Sequence, residues 1–282
     1  MRDINETTVL VTGTTSGLGR GVALALASEG ARILLHGRDR AKLETLANEI
    51  RGSAREADVS TYVADLASLR EVRRLASDVA RDNERLDLLI NNAGVGFGPP
   101  GAPRELSKDG YELRLAVNYL APYVLTNLLL PLLRSSAPAR IANVSSLGQE
   151  AIDFDDIMLE REYSGRRAYR QSKTALAMFT FDLAERLPAD KITVNCLHPA
   201  TYMDTGMVRV SRIAPMSTVA EGVDALLFVA TSPRLDGVTG EFFDQKREAR
   251  AISQAYDPSA RDRLRRITEE LTSVRMPSKI MA

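Results

Sequence analysis

Two hydrophobic periodicities alternate along this chain of 282 residues. Short apolar runs recur, and the longer segments between them carry apolar residues at helical spacing, as in Leu43, Leu46 and Ile50. The runs lie at residues 8–12, 32–36, 60–65, 86–91, 140–145, 191–197 and 239–243. Strands that alternate with helices in this way form a parallel sheet covered on both faces. The sequence therefore predicts an α/β fold of one domain, residues 1–282, with a doubly wound parallel sheet of about seven strands.

Charge and composition exclude several classes of function. Lys and Arg together number 37, as do Asp and Glu, so no net field favours nucleic acid or an anionic membrane. Cys196 is the single cysteine, which excludes an internal disulfide and a cysteine-rich metal site. With His36 and His198 as the only two histidines, we predict no metal site.

The chain carries no sequence signal for secretion or membrane insertion. Its first residues, MRDINETT, are polar and contain no apolar signal core. A long apolar run such as LTNLLLPLL, at 125–133, falls well short of the roughly 20 residues that a membrane span needs. We predict a cytoplasmic protein without a membrane partner.

A cluster of glycines follows the first predicted strand. Gly13, Gly17, Gly19 and Gly21 lie where that strand leads into a helix, which lets backbone amides approach a phosphate at the helix N-terminus. Their spacing is G-x-x-x-G-x-G and not the commoner G-x-G-x-x-G. The glycines alone therefore leave two interpretations, a Rossmann-type nucleotide loop or a turn that packs a helix on a strand.

Further motifs resemble, in their order along the chain, those of the short-chain dehydrogenase/reductases. They are Thr12-Gly13-x-x-x-Gly17-x-Gly19, Asn91-Asn92-Ala93-Gly94, Asn118, the pair Ser145-Ser146 and Tyr169-x-x-x-Lys173. The resemblance covers essentially the whole chain and implies a Rossmann-type fold. Residues 152–173, IDFDDIMLEREYSGRRAYRQSK, resemble the retinol-dehydrogenase-like branch, as does the long interval between Ser146 and Tyr169.

Four residues are predicted to carry the chemistry. Tyr169 and Lys173 are four apart, so on a helix they share a face, and a nearby ammonium lowers the pKa of a tyrosine from its usual value near 10. By resemblance the second serine, Ser146, polarises the substrate oxygen, while Ser145 is structural. Asn118 distorts its helix and holds a water for a proton relay from Lys173. The sequence alone also allows Asn118 to form a helix–helix hydrogen bond.

The choice of cofactor depends on the end of the second strand, LLHGRDR. Arg38 stands where an acid would bind the ribose hydroxyls of NAD, and an arginine suits a 2′-phosphate. We therefore expect NADP(H) in preference to NAD(H). Two residues weigh against a preference for NADP(H). Ser16 stands at a position that is basic in many NADP-dependent relatives, and the acidic Asp39 follows Arg38 directly. Arg38 as a solvated loop charge is the alternative.

The resemblance implies further cofactor contacts. An N-cap role competes with adenine binding for Asp65, and Thr205 competes with Thr201 for the nicotinamide amide. His198 and Cys196 are predicted to be packing residues. The complete predicted set is Gly13, Thr15, Ser16, Gly17, Leu18, Arg38, Asp65, Leu66, Asn92, Ala93, Gly94, Tyr169, Lys173, Pro199 and Thr201.

The sequence thus predicts hydride transfer between a nicotinamide and a carbonyl or alcohol carbon. Reduction is favoured because NADP(H) is usually kept reduced in cells, but the sequence leaves the physiological direction open. The substrate is expected to be small, and hydrophobic or a secondary metabolite. Two alternatives stay open. One is an epimerase or dehydratase, which usually has a G-x-x-G-x-x-G loop and a longer C-terminal domain, and the other is a nucleotide-sensing protein without turnover. By resemblance we expect a homodimer or homotetramer paired through the helices that hold Asn118 and Tyr169.

Substrate specificity is predicted to lie in segments 147–168 and 200–216, because loops that leave the carboxyl edge of the sheet form the pocket. We expect Ile152, Phe154, Ile157 and Met158 to cover a hydrophobic substrate. In the second segment, methionines would adapt to irregular ligand surfaces. The two segments could form either a mobile lid or a static, packed part of the structure, and both interpretations stay open. If specificity lies outside them, the loop 95–103, VGFGPPGAP, is the alternative.

Overall fold

The computed structural model describes residues 2–53, 58–187 and 191–279. Within these ranges eight strands form one sheet in the order β3-β2-β1-β4-β5-β6-β7-β8. Neighbouring strands from β3 to β7 pair in parallel, and β8 runs antiparallel to β7. Their bounds are β1 Thr8–Thr12, β2 Arg32–Gly37, β3 Val59–Val63, β4 Leu88–Asn91, β5 Ala139–Val144, β6 Ile192–His198, β7 Phe242–Asp244 and β8 Arg247–Ala249. The predicted doubly wound sheet is confirmed, with eight strands in place of about seven.

Helices connect the strands and cover both faces of the sheet. Local signals fix their starts: Ser68 accepts from Glu71 N at the start of α3, and Thr218 and Glu221 form a capping box at the start of α8. The helices are α1 Gly17–Ser28, α2 Arg40–Ser53, α3 Leu69–Asp82, α4 Leu113–Leu115, α5 Ala121–Ser135, α6 Gly165–Ala184, α7 Gly206–Val210, α8 Val219–Thr231 and α9 Pro258–Thr272.

Alternate residues of each strand pack into two separate cores. Leu10 and Leu34 point to the face that α3, α5, α6 and α9 cover, while Val9 and Ile33 point to the face under α1, α2 and α8. Both faces are apolar, which explains the near-continuous apolar runs in the sequence. The carboxyl ends of the parallel strands therefore meet at one edge between two helical layers, and this edge carries the site.

The last two strands differ from the sequence-based expectation. The predicted run 239–243 begins too early, because Gly240 has a φ of +78° and forms a turn before β7 starts at Phe242. Strand β8 was not predicted, since its residues Arg247–Ala249 are charged or small and give no apolar signal.

Residues Leu113–Ser135 form one continuous helical stretch in which α4, a π-helical turn at Ala116–Leu120 and α5 follow each other. Among the described residues this is the one helix long and apolar enough to cross a membrane, with 23 residues and a mean hydropathy of 1.4. The argument that the apolar run 125–133 is too short to span a membrane is therefore wrong, because the helix that contains this run is longer. However, 83% of its apolar window is buried inside the protein, and a buried core helix can meet the same criteria of length and hydropathy. A cytoplasmic location stays a prediction.

The C-terminal part of the chain covers the face on which we expected two chains to pair. All residues from 171 to 184 in α6 are buried. The hydroxyls of Tyr119 and Tyr123 bond to Thr268 Oγ1, at 2.6 Å, and to Val274 O, at 3.1 Å. Pairing through α5 and α6 would require this segment to leave. The homo-oligomer stays a prediction, and the structure assigns it no contact face.

Candidate active site

The loop between β1 and α1 has the shape of a phosphate cradle. Gly13 and Gly17 have φ values of +74° and +55°, and a Cβ on Gly13 would lie 2.9 Å from Ala93 Cα. Ser16 is the N-cap of α1 and, among the described residues, makes no side-chain cap bond. The N–H groups of the first turn are thus directed at the edge of the sheet, as an anion site requires. This geometry favours the nucleotide-loop interpretation.

The segment after β4 is bonded directly to that loop. Thr12 Oγ1 accepts from Asn92 N at 2.9 Å and from Ala93 N at 3.0 Å. The side-chain amide of Asn92 donates to Thr12 O at 2.8 Å. Asn92, Ala93 and Gly94 therefore lie beside the glycine loop, at the point where the strand order reverses between β1 and β4.

His36 joins the ends of three strands. Its Nδ1 accepts from Gly13 N at 3.3 Å, its Nε2 donates to Ala64 O at 3.1 Å, and its backbone oxygen accepts from Gly13 N at 3.0 Å. Burial lowers the pKa of His36 to about 4, so the imidazole is neutral and one nitrogen can accept. His36 positions the glycine loop, a role that the sequence alone did not reveal.

Ser146, Tyr169 and Lys173 meet at the carboxyl end of β5. Ser146 lies near the Tyr169 hydroxyl and acts to lower its pKa. Lys173 Nζ lies 5.6 Å from the centroid of the Tyr169 ring and donates to Val144 O at 2.7 Å. The predicted shared face of α6 thus brings the phenol and the amine together.

The pKa values of Tyr169 and Lys173 are both shifted by desolvation. Burial raises the pKa of Tyr169, and the nearby Ser146 only partly opposes this effect. Burial also lowers the pKa of Lys173, to about 8. Burial therefore dominates the pKa of Tyr169 in this structure, and a lowering of that pKa by the Lys173 ammonium stays a prediction.

The two serines have different surroundings. Ser145 Oγ donates to Lys173 O at 2.9 Å, which ties β5 to the backbone of α6. Ser146 Oγ accepts from Gly148 N at 3.0 Å and faces Tyr169. This arrangement supports Ser146 as the functional serine and Ser145 as a structural one.

Asn118 is fully buried within the π-helical turn, so the helix is distorted as the resemblance implied. Its Oδ1 accepts from Val95 N at 2.7 Å and its Nδ2 donates to Val95 O at 3.0 Å. Nδ2 also donates to Ser172 Oγ at 3.0 Å, so the helix–helix hydrogen bond is present as well. A Cβ on Gly94 would lie 3.2 Å from Asn118 Oδ1 and 3.7 Å from Lys173 Nζ, which places the three residues side by side.

The adenosine side of the site lies at the ends of β2 and β3. The exposed Arg38 side chain has no hydrogen-bond or ion-pair partner within residues 2–53, 58–187 and 191–279. Asp65 Oδ1 accepts from Ala67 N at 3.0 Å and its Oδ2 pairs with Lys108 at 3.1 Å. Burial opposes ionisation of Asp65, but these two partners lower its pKa. The N-cap alternative for Asp65 is wrong, because Ser68 caps α3.

Residues after β6 line the opposite side of the glycine loop. Thr201 Oγ1 is hydrogen-bonded to His198 Nε2 at 3.0 Å, and the Thr205 methyl lies 3.1 Å from where a Cβ on Gly17 would stand. Pro199 is buried beside them. Both threonines thus reach the site, and the choice between them stays open. Cys196 is fully buried, and burial raises the pKa of its thiol to about 12, which fits a packing residue.

A cavity of about 330 Å³ opens beside Tyr169. One wall is residues 97–102 and the other is residues 163–166, with Ser211 and Ile213 at a third side. The Phe97 ring stands edge-on to the Tyr169 ring, with centroids 4.7 Å apart. We call this cavity the substrate pocket. It includes the end of each predicted specificity segment and also the alternative loop 95–103.

The sequence pattern of the short chain dehydrogenases matches residues 7–215 of this chain. The chain belongs to the short-chain dehydrogenase family. It is 37% identical to human retinol dehydrogenase 14 over 95% of this chain and 86% of that protein, and 36% identical to human retinol dehydrogenase 13 over 96% and 86%. This short-chain dehydrogenase is therefore an NAD(P)-dependent enzyme of the retinol-dehydrogenase-like branch.

Solved structures show the same fold. An uncharacterised protein from Mycobacterium paratuberculosis aligns with a TM-score of 0.77 at 27% identity, covering 97% of this chain and 96% of its own. The active-site complex of Pseudomonas aeruginosa RhlG with NADP aligns with a TM-score of 0.69 at 26% identity, covering 86% and 97%.

Segment 147–168 of this short-chain dehydrogenase packs on the protein more than it covers the pocket. Ile152, Phe154, Ile157 and Met158 contact the hydrophobic core, and Ile152 is 6% exposed. Ile152 also exchanges two backbone hydrogen bonds with the side chain of Gln254, at 2.6 and 3.1 Å. That these four side chains also cover the substrate stays a prediction. Only the end of the segment, residues 163–166, reaches the pocket.

Three residues near the site were not predicted from the sequence. Phe97 and Arg114 shape the pocket, and Gln149 donates to Ser146 O at 2.8 Å while accepting from Ile252 N at 2.8 Å. Arg114 had a visible signal, since it is a charge within the apolar stretch LRLAVNYL, four residues before Asn118. Gln149 had none, because its partner is distant in the chain.

Proposed function

We propose that this enzyme is an NADP(H)-dependent carbonyl reductase that acts on a small hydrophobic substrate, with Ser146, Tyr169, Lys173 and Asn118 as its working residues. The buried Lys173 amine, 5.6 Å from the centre of the Tyr169 ring, with Ser146 near the phenol, carries the proposal. The Tyr169 ring contacts Phe97, which lines a pocket of about 330 Å³.

Each residue has a role that its surroundings support. A bound nicotinamide supplies the hydride, and Ser146 donates a hydrogen bond to the substrate oxygen. Tyr169 gives that oxygen a proton, and its raised pKa keeps the phenol protonated at neutral pH, as an acid for reduction requires. Lys173 then stabilises the phenolate and returns a proton to it, since an amine with a pKa of about 8 both holds and releases a proton near neutral pH. Asn118, bonded to Val95 and Ser172, would support the water relay behind Lys173.

The glycine loop, the Asn92–Gly94 segment and Arg38 would hold the cofactor. The Arg38 guanidinium at the end of β2, which has no hydrogen-bond or ion-pair partner among the described residues, supports recognition of a 2′-phosphate and hence NADP(H) over NAD(H). The similar RhlG structure is a complex with NADP, which is consistent with this choice. Asp65 and Leu66, Pro199 and Thr201 would line the adenine and nicotinamide ends.

Two observations support a hydrophobic substrate. The pocket walls carry Phe97, Pro99, Pro100, Ala102 and Ile213, beside the more polar Tyr163, Ser164, Arg166 and Ser211. The relatives named retinol dehydrogenases 13 and 14 point to the same class of ligand.

Oxidation of NADPH and NADH, followed by absorbance with a panel of aldehydes and ketones that includes retinal, tests the proposal. We expect NADPH consumption with hydrophobic carbonyls at a kcat/KM at least about tenfold above that with NADH, since a charge-assisted contact is worth that much. Ser146→Ala is the matched control and should lose most of this rate. Tight NADPH binding without consumption by any member of the panel would favour the nucleotide-sensing alternative.

A further inference from the structure

Arg114 is a buried cation that lies one helical turn before Asn118. Its side chain is 1% exposed, and it has an equally buried counter-ion in Glu112, whose Oε1 lies 3.4 Å from Arg114 Nη1. Glu105 Oε2 accepts from Nη2 at 3.1 Å. The charge is thus compensated, and the remaining N–H donors of the guanidinium are free to bond elsewhere.

Arg114 and Asn118 together hold three consecutive residues of the loop after β4. Asn118 binds both backbone groups of Val95, as described above. Arg114 Nε donates to Gly96 O at 3.1 Å, and Nη2 donates to Phe97 O at 3.4 Å. The backbone that carries the Phe97 ring to the edge of Tyr169 is therefore fixed by two side chains of one helix.

The same guanidinium also reaches the opposite wall of the substrate pocket. Arg114 Nη1 donates to the Tyr163 hydroxyl at 2.7 Å, and that hydroxyl lies 3.4 Å from Glu112 Oε1. The two walls are in contact at this level, because a Cβ on Gly165 would overlap the carbonyl oxygen of Phe97. Gly98 has a φ of +77°, and a Cβ added at this residue would lie 3.0 Å from Arg114 Nη2, so the loop passes close to the guanidinium.

We propose that Arg114 is a positioning residue that joins the two walls of the substrate pocket and thereby sets which carbonyl substrates fit between Phe97 and Tyr163. The selectivity part of this inference rests on the proposed function. This role requires the planar guanidinium of Arg114, since its Nε, Nη1 and Nη2 donate in three directions to Gly96, Tyr163 and Phe97. A lysine has a single ammonium and cannot replace these contacts.

Two variants test the inference. Tyr163→Phe keeps the ring and the Arg114–Glu112 pair and removes the bonds of the hydroxyl to Arg114 and Glu112, which link the second wall to this pair. Arg114→Lys keeps the charge and loses the planar guanidinium. Arg104→Gln is the control, because Arg104 bonds to Met158 O at 2.9 Å and contacts Glu160, neither of which lines the pocket.

Two readouts separate positioning from general structural damage. Amide hydrogen exchange of peptides that cover 95–102 needs no turnover, and we expect it to be at least about fivefold faster in both variants but unchanged in the control. For active enzyme we expect KM to rise about three- to tenfold for the carbonyls that wild type prefers, with kcat within about twofold and NADPH affinity unchanged.

The outcomes are distinct from those of the proposed function. If Arg114→Lys does not fold, Tyr163→Phe alone decides. Unchanged exchange at 95–102 in Tyr163→Phe overturns the inference, as does faster exchange with the same KM across the panel. A wild-type enzyme that consumes no NADPH defeats the proposed function, and the exchange experiment then still decides whether Arg114 joins the two walls.

Discussion

The cofactor side and the substrate side of this site are held together in different ways. On the cofactor side, the loop after β1 bonds to β2 and to the segment after β4 through groups at the ends of three adjacent strands, as in Gly13 N with His36 O and Asn92 Nδ2 with Thr12 O. On the substrate side, the walls depend on side chains from elsewhere, as in Arg114 with Tyr163 and Gln149 with Ile252.

This difference has consequences for both stability and specificity. Backbone groups form most of the cofactor side, so a substitution there disturbs the fold of the sheet edge. Individual side chains form the substrate side, so a substitution there changes pocket shape while the sheet remains intact. We therefore expect large effects on stability and nucleotide binding on one side and small effects on stability on the other.

The largest effect is expected at Gly19, where a Cβ would overlap Gly13 O and Asn92 Nδ2. Because a backbone oxygen cannot move aside cheaply, Gly19→Ala should lower the free energy of unfolding by about 3–5 kcal/mol and abolish measurable NADPH binding. The matched control is Gly52→Ala in α2, where no described atom lies within 4 Å of the new Cβ. That variant should gain about 0.5–1 kcal/mol. Denaturant unfolding measures both, and equal stabilities would contradict the close packing of the loop.

A slightly smaller effect on the free energy of unfolding is expected when the pH is lowered. The folded-state pKa of His36, about 4, is below its unfolded value of 6.5, so the unfolded chain binds a proton at this residue before the folded chain does. Stability from neutral His36 is therefore present above about pH 6.5 and is lost as the pH falls toward 4, by about 3 kcal/mol in total.

His36→Asn keeps an acceptor near Gly13 N but cannot titrate. The free energy of unfolding of wild type and variant, measured from pH 7 to pH 4, should thus converge as the pH falls. Two parallel curves would show that His36 is not held neutral by burial.

Cofactor preference should respond by about 1.5–3 kcal/mol to the charge at residue 38. Arg38→Asp removes the partner for a 2′-phosphate and offers a carboxylate to ribose hydroxyls, so the ratio of kcat/KM with NADPH to that with NADH should fall about ten- to a hundredfold. Arg275→Asp makes the same change in charge on the exposed C-terminal part of the chain and should leave the ratio unchanged. A ratio that does not move in Arg38→Asp means that Arg38 is only a solvated charge.

The smallest effects on stability are expected in segment 200–216. Val210 and Met216 are 57% and 71% exposed, so replacing both with Ser should change the free energy of unfolding by less than about 0.5 kcal/mol. If these side chains contact substrate, KM for hydrophobic carbonyls should rise by about fivefold, as the loss of a modest apolar contact implies. Leu128→Ser, on the exposed side of α5, serves as the control. The same KM in all three proteins would remove this segment from the pocket.

The sequence predicted the parts of the molecule whose chemistry is local. The alternating periodicity indicated the sheet, and the four-residue spacing of Tyr169 and Lys173 placed both on one helix face. It could not predict the raised pKa of Tyr169, which depends on burial by distant elements, or the contacts of Arg114, which join residues 49 positions apart at Tyr163. The length of the apolar helix was missed as well, because polar Arg114 and Asn118 interrupt its pattern while the fold buries them.

Tyr169→Phe tests the central claim most directly, since it removes only the hydroxyl that is proposed to transfer the proton. Turnover of NADPH with the preferred carbonyl should fall about 10²–10⁴-fold, the usual contribution of a general acid, while NADPH affinity stays the same. Lost turnover with intact NADPH binding is the predicted result. Undiminished turnover in the folded variant would contradict the account, because the proton would then come from a group other than Tyr169.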